Sequence, residues 1–126
     1  MTCLSIFCLL LWRTTSYAID LLVVKIQHEQ ARQALKALQR YAIMLVKNNE
    51  MRLQQQESRQ ILFDHWPLQT SPCSAGAVWS RQEPNSIQIN CFVKNNTLIK
   101  RSRHHCVQHT VDDQQYWVTE VLSSDA

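Results

Sequence analysis

Apolar residues are distributed along this chain in three regimes. The first is a block from Cys3 to Trp12, apolar apart from Ser5, closed by Arg13 and followed by Thr14, Thr15, Ser16, Tyr17 and Ala18. The second runs from Ile19 to about Phe63, contains neither glycine nor proline, and is rich in the helix formers Gln, Ala, Leu, Lys, Arg and Glu. Within it Ala31, Leu35, Leu38, Ala42 and Leu45 recur at alternating steps of four and three, the spacing of one helical face. Tyr41 to Val46 is apolar all round and predicts burial on several sides, whereas Gln54 to Gln60 is polar and predicts solvation. As a single helix the segment would extend roughly 65 Å, longer than a small domain needs. It therefore either projects as a stalk or folds back at Asn48 and Asn49.

The third regime starts at His65, Trp66 and Pro67, because a residue before proline is driven out of the helical region. Leu68 to Ala77, with Ser71, Pro72, Ser74 and Gly76, reads as a connecting loop, and Ala77 to Arg81 as a short first strand. Ile87, Ile89, Cys91 and Val93 then alternate with Gln88, Asn90, Phe92 and Lys94 in the manner of a strand with one face inward. Asn95 and Asn96 supply a turn, a strand returns from Thr97, Asp112 to Gln115 turns again, and Tyr116 to Leu122 closes the pattern. The expected architecture is α+β, a long amino-terminal helix packed on a carboxy-terminal antiparallel meander of about four strands. The expected organisation is a targeting segment over 1–18, a helical segment over 19–64 and an antiparallel β domain over 65–126.

The opening block is too short to span a bilayer alone. Its length, with Ser16 and Ala18 behind it, matches a secretory signal cleaved between Ala18 and Ile19. The alternative is an uncleaved anchor reaching Ile26, which would place Arg13 and Asp20 in the hydrocarbon at about 2.5 to 3.5 kcal/mol each. Either way the chain is expected to be exported, to a periplasm, a cell surface or an inner membrane.

Composition narrows the function classes. A chain of 126 residues with 45% hydrophobic and 18% charged residues has room for one ordinary core. Its single glycine, Gly76, cannot build a loop that cradles phosphate, so no nucleotide or other cofactor is expected. A formal charge of +3 supports only a mild preference for anionic partners. The strongest basic cluster is Lys100, Arg101 and Arg103, a candidate contact for DNA, lipid or polysaccharide, although cations on an exposed strand also keep sheet edges from pairing.

Beyond the opening block lie Cys73, Cys91 and Cys106, an odd number that suits one disulfide and one thiol. Cys91 with Cys106 is the preferred pair because the two flank a predicted hairpin; pairing through Cys73, or three reduced buried thiols, are the alternatives. His104, His105, Cys106 and His109 are dense in ligand atoms, but strand alternation divides them between two faces and serves a closed metal site poorly. No signature surrounds Cys73 as a nucleophile beside His65 or His109, and Asp112 with Asp113 reads as a turn, so catalysis is not expected. Asn95-Asn96-Thr97 is a glycosylation sequon at a hairpin tip, and Trp66, Trp79 and Trp117 read as core anchors between helix and sheet.

A hydrophobic amino-terminal segment, a long helix and a cysteine-bearing antiparallel sheet, in that order, resemble the ladle layout of type IV pilins and pseudopilins. The chain carries no Gly-Phe-Thr-Leu-x-Glu processing motif, so the resemblance is one of element order. It implies a helix whose hydrophobic half assembles with other subunits and whose second half packs on the sheet through Leu35, Leu38, Tyr41, Ala42 and Leu45. It also implies that Cys91 with Cys106 closes a loop near the carboxyl end. The expected function is a non-enzymatic structural or interaction subunit of a bacterial envelope, in a pilus, secretion or DNA-uptake apparatus. The alternative is a soluble periplasmic or secreted module that binds an anionic ligand through Lys100 to Arg103.

Overall fold

The computed structural model describes residues 2–54 and 56–125, and shows one helix followed by five strands. Helix α1 spans Thr2–Lys47; the strands are β1 (Ser58–Phe63), β2 (Ser74–Glu83), β3 (Ser86–Asn95), β4 (Leu98–Val111) and β5 (Gln114–Ser124). They form one sheet in the order β1-β2-β3-β4-β5, every neighbouring pair antiparallel. The α+β layout is as expected from the sequence. The strand count is five rather than four.

The helix stops where asparagine allows it to stop. Asn49 takes a left-handed backbone with φ 56°, its N–H donates to the Val46 carbonyl at 3.1 Å, and the Glu50 N–H reaches the Leu45 carbonyl at 3.0 Å. These are the paired bonds of a Schellman cap, which satisfy carbonyls that the last turn would leave bare. The expected helical segment over 19–64 is thus corrected at both ends. It is continuous with the opening block and finishes at Lys47, and neither a stalk beyond Asn49 nor a helical hairpin forms. Ser58–Phe63 is instead an edge strand on β2, with Ile61 opposite Ala77 and Phe63 opposite Ala75. Sheet pairing and the partial burial of Ile61 and Phe63 outweigh the helix propensity of Gln and Arg there. The first strand read at Ala77 to Arg81 is the middle of a longer β2, so the predicted loop loses Ser74 to Ala77.

The other turns follow their residues. Asp112 and Asp113 both have positive φ, 52° and 63°, and join β4 to β5 as the two-residue primed turn whose twist matches that of the strands. Asn96, at φ 57°, turns β3 into β4.

Only one face of the sheet is covered. Ala75, Ala77 and Trp79 of β2, Ile87, Ile89, Cys91 and Val93 of β3, and Ser102, His104 and Cys106 of β4 are buried beneath Ala31, Ala34, Leu35, Leu38, Ala42 and Val46 of the helix. Alanines at the contact let the indoles approach the helical backbone. The Trp79 Nε1–H donates to the Ala42 carbonyl at 3.3 Å and the Trp66 Nε1–H to the Ala34 carbonyl at 3.0 Å, so two tryptophans set the position of the helix by hydrogen bonds as well as by area. Tyr41 adds an aromatic cluster, its ring centroid 6.0 Å from Phe63 and 5.4 Å from Trp66. On the opposite face a Cβ at Gly76 would collide with the Phe92 ring and Leu62, which explains the one glycine.

Candidate functional site

One continuous helix has two different surroundings. From Ala31 to Val46 its inner positions lie under the sheet; from Thr2 to Gln30 it projects with no residue fully buried. The projecting part carries Leu4, Ile6, Phe7, Leu9, Leu10, Leu11, Trp12, Tyr17, Ile19, Leu21, Leu22, Val23, Val24 and Ile26 in the open, with Leu4 at 73% and Trp12 at 72% exposure. It includes a stretch long and apolar enough to cross a membrane, none of it buried within the chain. From Thr2 to Ile26 it rises about 37 Å, sufficient for a hydrocarbon layer of about 30 Å.

The border between the halves is built from polar contacts. Asn95, buried at the end of β3, donates from Nδ2 to the Gln27 carbonyl at 3.2 Å and to Gln30 Oε1 at 3.4 Å. That places the sequon asparagine against the helix rather than at an open tip, where a sugar could be attached. Between those two glutamines, Glu29 accepts from Arg32 at 2.6 Å and from Gln33 at 2.9 Å; the Arg32 bond, then the Gln33 bond, hold its carboxyl down at about 2. Beside this border a groove of about 570 Å³ lies between the helix and the β1–β2 loop, lined by Ile26, Ala34, Ala37, Pro67, Leu68 and Pro72 among others. The apolar surface of the projecting half therefore continues a short way onto the sheet domain.

Within the projecting half some polar residues share a side, although Lys25, Thr14 and Thr15 lie elsewhere around the helix. At 100° per residue Arg13, Ser16, Asp20 and Gln27 fall within about 60° of arc, while Leu4, Leu11, Leu22 and Ile26 lie on the far side. Among the described residues neither Arg13 nor Asp20 makes an ion pair within the chain. This arrangement escaped the sequence reading because Arg13 and Asp20 were weighed as separate obstacles to a membrane span. Their spacing of seven was the signal.

The other residues singled out from sequence are distributed as follows. Leu35, Leu38 and Ala42 are fully buried against the sheet, with Tyr41 and Leu45 half-buried at the margin of the contact. All five cysteines are free, and Cys73, Cys91 and Cys106 are buried. Cys91 stands opposite Ser102 and Cys106 opposite Ile87, so the preferred pair is four residues out of register, about 13 Å along the strands, too far for a disulfide. Cys73 precedes Ser74, which faces Lys94, and is likewise out of register with Cys91. Burial pushes the Cys91 thiol up to about 11, with a smaller opposing effect from its bond to Ser102, and burial raises Cys106 as well. These thiols are packing groups, poor in thiolate at neutral pH.

The basic cluster is divided by the strand. Lys100 turns to the helix side, where its Nζ donates to the Asp125 carbonyl at 3.3 Å, whereas Arg101 and Arg103 are exposed on the bare face. Those two arginines line a groove of about 460 Å³ with Phe92 and Asn90, but Asp125 lies in it too, its carboxylate accepting from the Arg101 backbone N–H at 2.8 Å. His104 is buried beside Ser102 at 3.3 Å, and desolvation lowers its pKa. Among the described residues no group of three His, Cys, Asp or Glu side chains could hold a metal ion.

Compared with family models, with curated proteins and with solved structures, the chain matches none. The functional reading accordingly rests on its own geometry.

Proposed function

We propose that this protein is an exported, non-enzymatic structural subunit of a bacterial envelope, held in the membrane by the first half of α1 and displaying the sheet domain outside it, in the manner of a minor pilin or pseudopilin. The observation that carries the reading is the helix itself, unbroken from Thr2 to Lys47 and covered by its own sheet only from Ala31 onward. Apolar side chains on every side of about seven helical turns are stable only when something other than water surrounds them. The reading requires the segment before Ile19 to stay attached, because Ile19 to Ile26 alone would rise only about 12 Å and could not cross a hydrocarbon layer.

Two features support a rigid rather than a hinged connection. The border lacks proline and glycine, and Asn95 ties the sheet to the Gln27 carbonyl, so force applied to the anchor reaches the domain through the helix. The alternative of a soluble module acting through Lys100, Arg101 and Arg103 draws less support, since the three cations do not share a face.

Alkaline carbonate extraction of cells making the full chain, followed by mass determination, tests the proposal. A chain retained in the membrane pellet with residues before Ile19 still attached is expected. Recovery in the soluble periplasmic fraction with Ile19 as its first residue would contradict it.

A further inference from the structure

The groove between α1 and the β1–β2 loop begins where the exposed apolar part of the helix ends. Ile26, the last aliphatic residue of that part, is also the first to line the groove, whose walls continue through Ala34, Ala37, Pro67, Leu68 and Pro72. A bilayer measures about 40–45 Å with its headgroups and about 30 Å without them, which leaves roughly 5–7 Å of polar layer on each side. At about 1.5 Å per residue that layer reaches from Ile26 to near Gln30, so the lower end of the groove opens inside it. Resting on the membrane reading above, we infer that the groove takes one acyl chain of a phospholipid from the surrounding leaflet.

Size and walls select this occupant. Along the helix the groove runs from Ile26 to Ala37, about 16.5 Å, so its volume of about 570 Å³ gives a mean cross-section of about 35 Å². That is less than half the section of a helix about 10 Å across, and it suits an extended hydrocarbon chain. An extended peptide would add to a strand edge, whereas this groove is walled by a helix and a loop. The loop is suited to an apolar neighbour. Its Trp66 N–H donates to the Cys73 carbonyl at 2.9 Å, its Ser71 N–H to the Leu68 carbonyl at 3.0 Å, and Pro67 and Pro72 have no N–H to satisfy. Leu68, 68% exposed in the protein alone, would be covered by the acyl chain. Gln30, Thr70 and Ser71 offer amide and hydroxyl groups to the ester and phosphate oxygens, and the charge of Glu29 is already matched by Arg32.

The test is photolabelling of the full-length protein in vesicles of phosphatidylethanolamine and phosphatidylglycerol that carry a trace of phosphatidylcholine with a diazirine on one acyl chain. Adducts, mapped by mass spectrometry, are expected along the span and also on Ala37 and the 67–72 loop. Ala37→Phe, which fills the groove, should remove the adducts of the loop and leave those of the span. Arg40→Phe, the same bulk at an exposed position outside the groove, should leave both. An unchanged denaturation midpoint shows that Ala37→Phe keeps the fold; if the midpoint falls, the map of the unsubstituted protein decides alone. Adducts confined to residues before Gln27, or loop adducts that persist in a folded Ala37→Phe protein, would overturn the inference while the membrane reading stands. Labelling of the groove by a free fatty acid bearing the same diazirine, but not by the phospholipid, would overturn it too. Absence of adducts along the span, with release of the protein by carbonate, would instead remove the membrane reading itself.

Discussion

The two halves of α1 are the same kind of helix with opposite relations to the rest of the chain. Between Ala31 and Val46 a one-sided stripe of Ala and Leu sits under tryptophans, isoleucines and cysteines, and its other positions are polar or half-exposed. Between Thr2 and Ile26 apolar residues occupy every side of the helix, interrupted by Arg13, Asp20 and Lys25. A stripe is what a sheet can cover; an encircling apolar surface requires an encircling medium. The difference assigns the second half to folding and leaves the first to the membrane role proposed above.

The largest effect expected from that division comes from moving one charge along the helix. Leu38→Asp places an unpaired carboxylate in the fully buried contact and should cost about 3–5 kcal/mol, enough to abolish a cooperative unfolding transition in a domain of ordinary stability. Leu22→Asp, the same substitution in the projecting half, should leave that transition in place and weaken membrane retention. Equal destabilisation by both, measured by denaturant titration in detergent, would erase the distinction. Cavity formation comes next: Leu35→Ala should lose about 2–5 kcal/mol, while Leu11→Ala should leave the denaturation midpoint unchanged.

A smaller loss sharpens the account of how the sheet locates the helix. Trp79→Phe removes the donor to the Ala42 carbonyl and part of the buried ring, and should cost about 1–2 kcal/mol by the same titration. Smaller again is the effect of pH. His104 has its pKa lowered from 6.5 by burial, so below 6.5 the unfolded chain takes up a proton that the folded one resists. Its contribution is complete above 6.5 and is lost as pH falls toward the lowered folded value; His104→Leu should flatten the stability profile in that window. Reductant should change nothing, since Cys91 and Cys106 are out of register, and a midpoint that drops on reduction would show that a disulfide exists after all.

The helix contact was legible because Leu35, Leu38 and Ala42 keep the helical period, and the meander because asparagine and aspartate mark its turns. β1 was hidden because Ser58 to Gln60 is polar and only Ile61 and Phe63 point inward, too few to establish an alternation. The cysteine pairing failed for a related reason: flanking a turn fixes neither register nor distance, and β3 and β4 align Cys91 with Ser102. Lys100, Arg101 and Arg103 looked like one patch in a linear string, whereas the pleat sends the first away from the other two.

Accessibility along α1 tests the central division most directly. Spin labels placed singly at Leu4, Leu11, Leu22, Leu35 and Leu38 of the full chain in lipid vesicles can be challenged with oxygen, which concentrates in lipid, and with a water-soluble nickel complex. The account predicts strong oxygen contact at Leu4, Leu11 and Leu22 and little contact with either reagent at Leu35 and Leu38. Ready access of the nickel complex to Leu11 and Leu22 would contradict it.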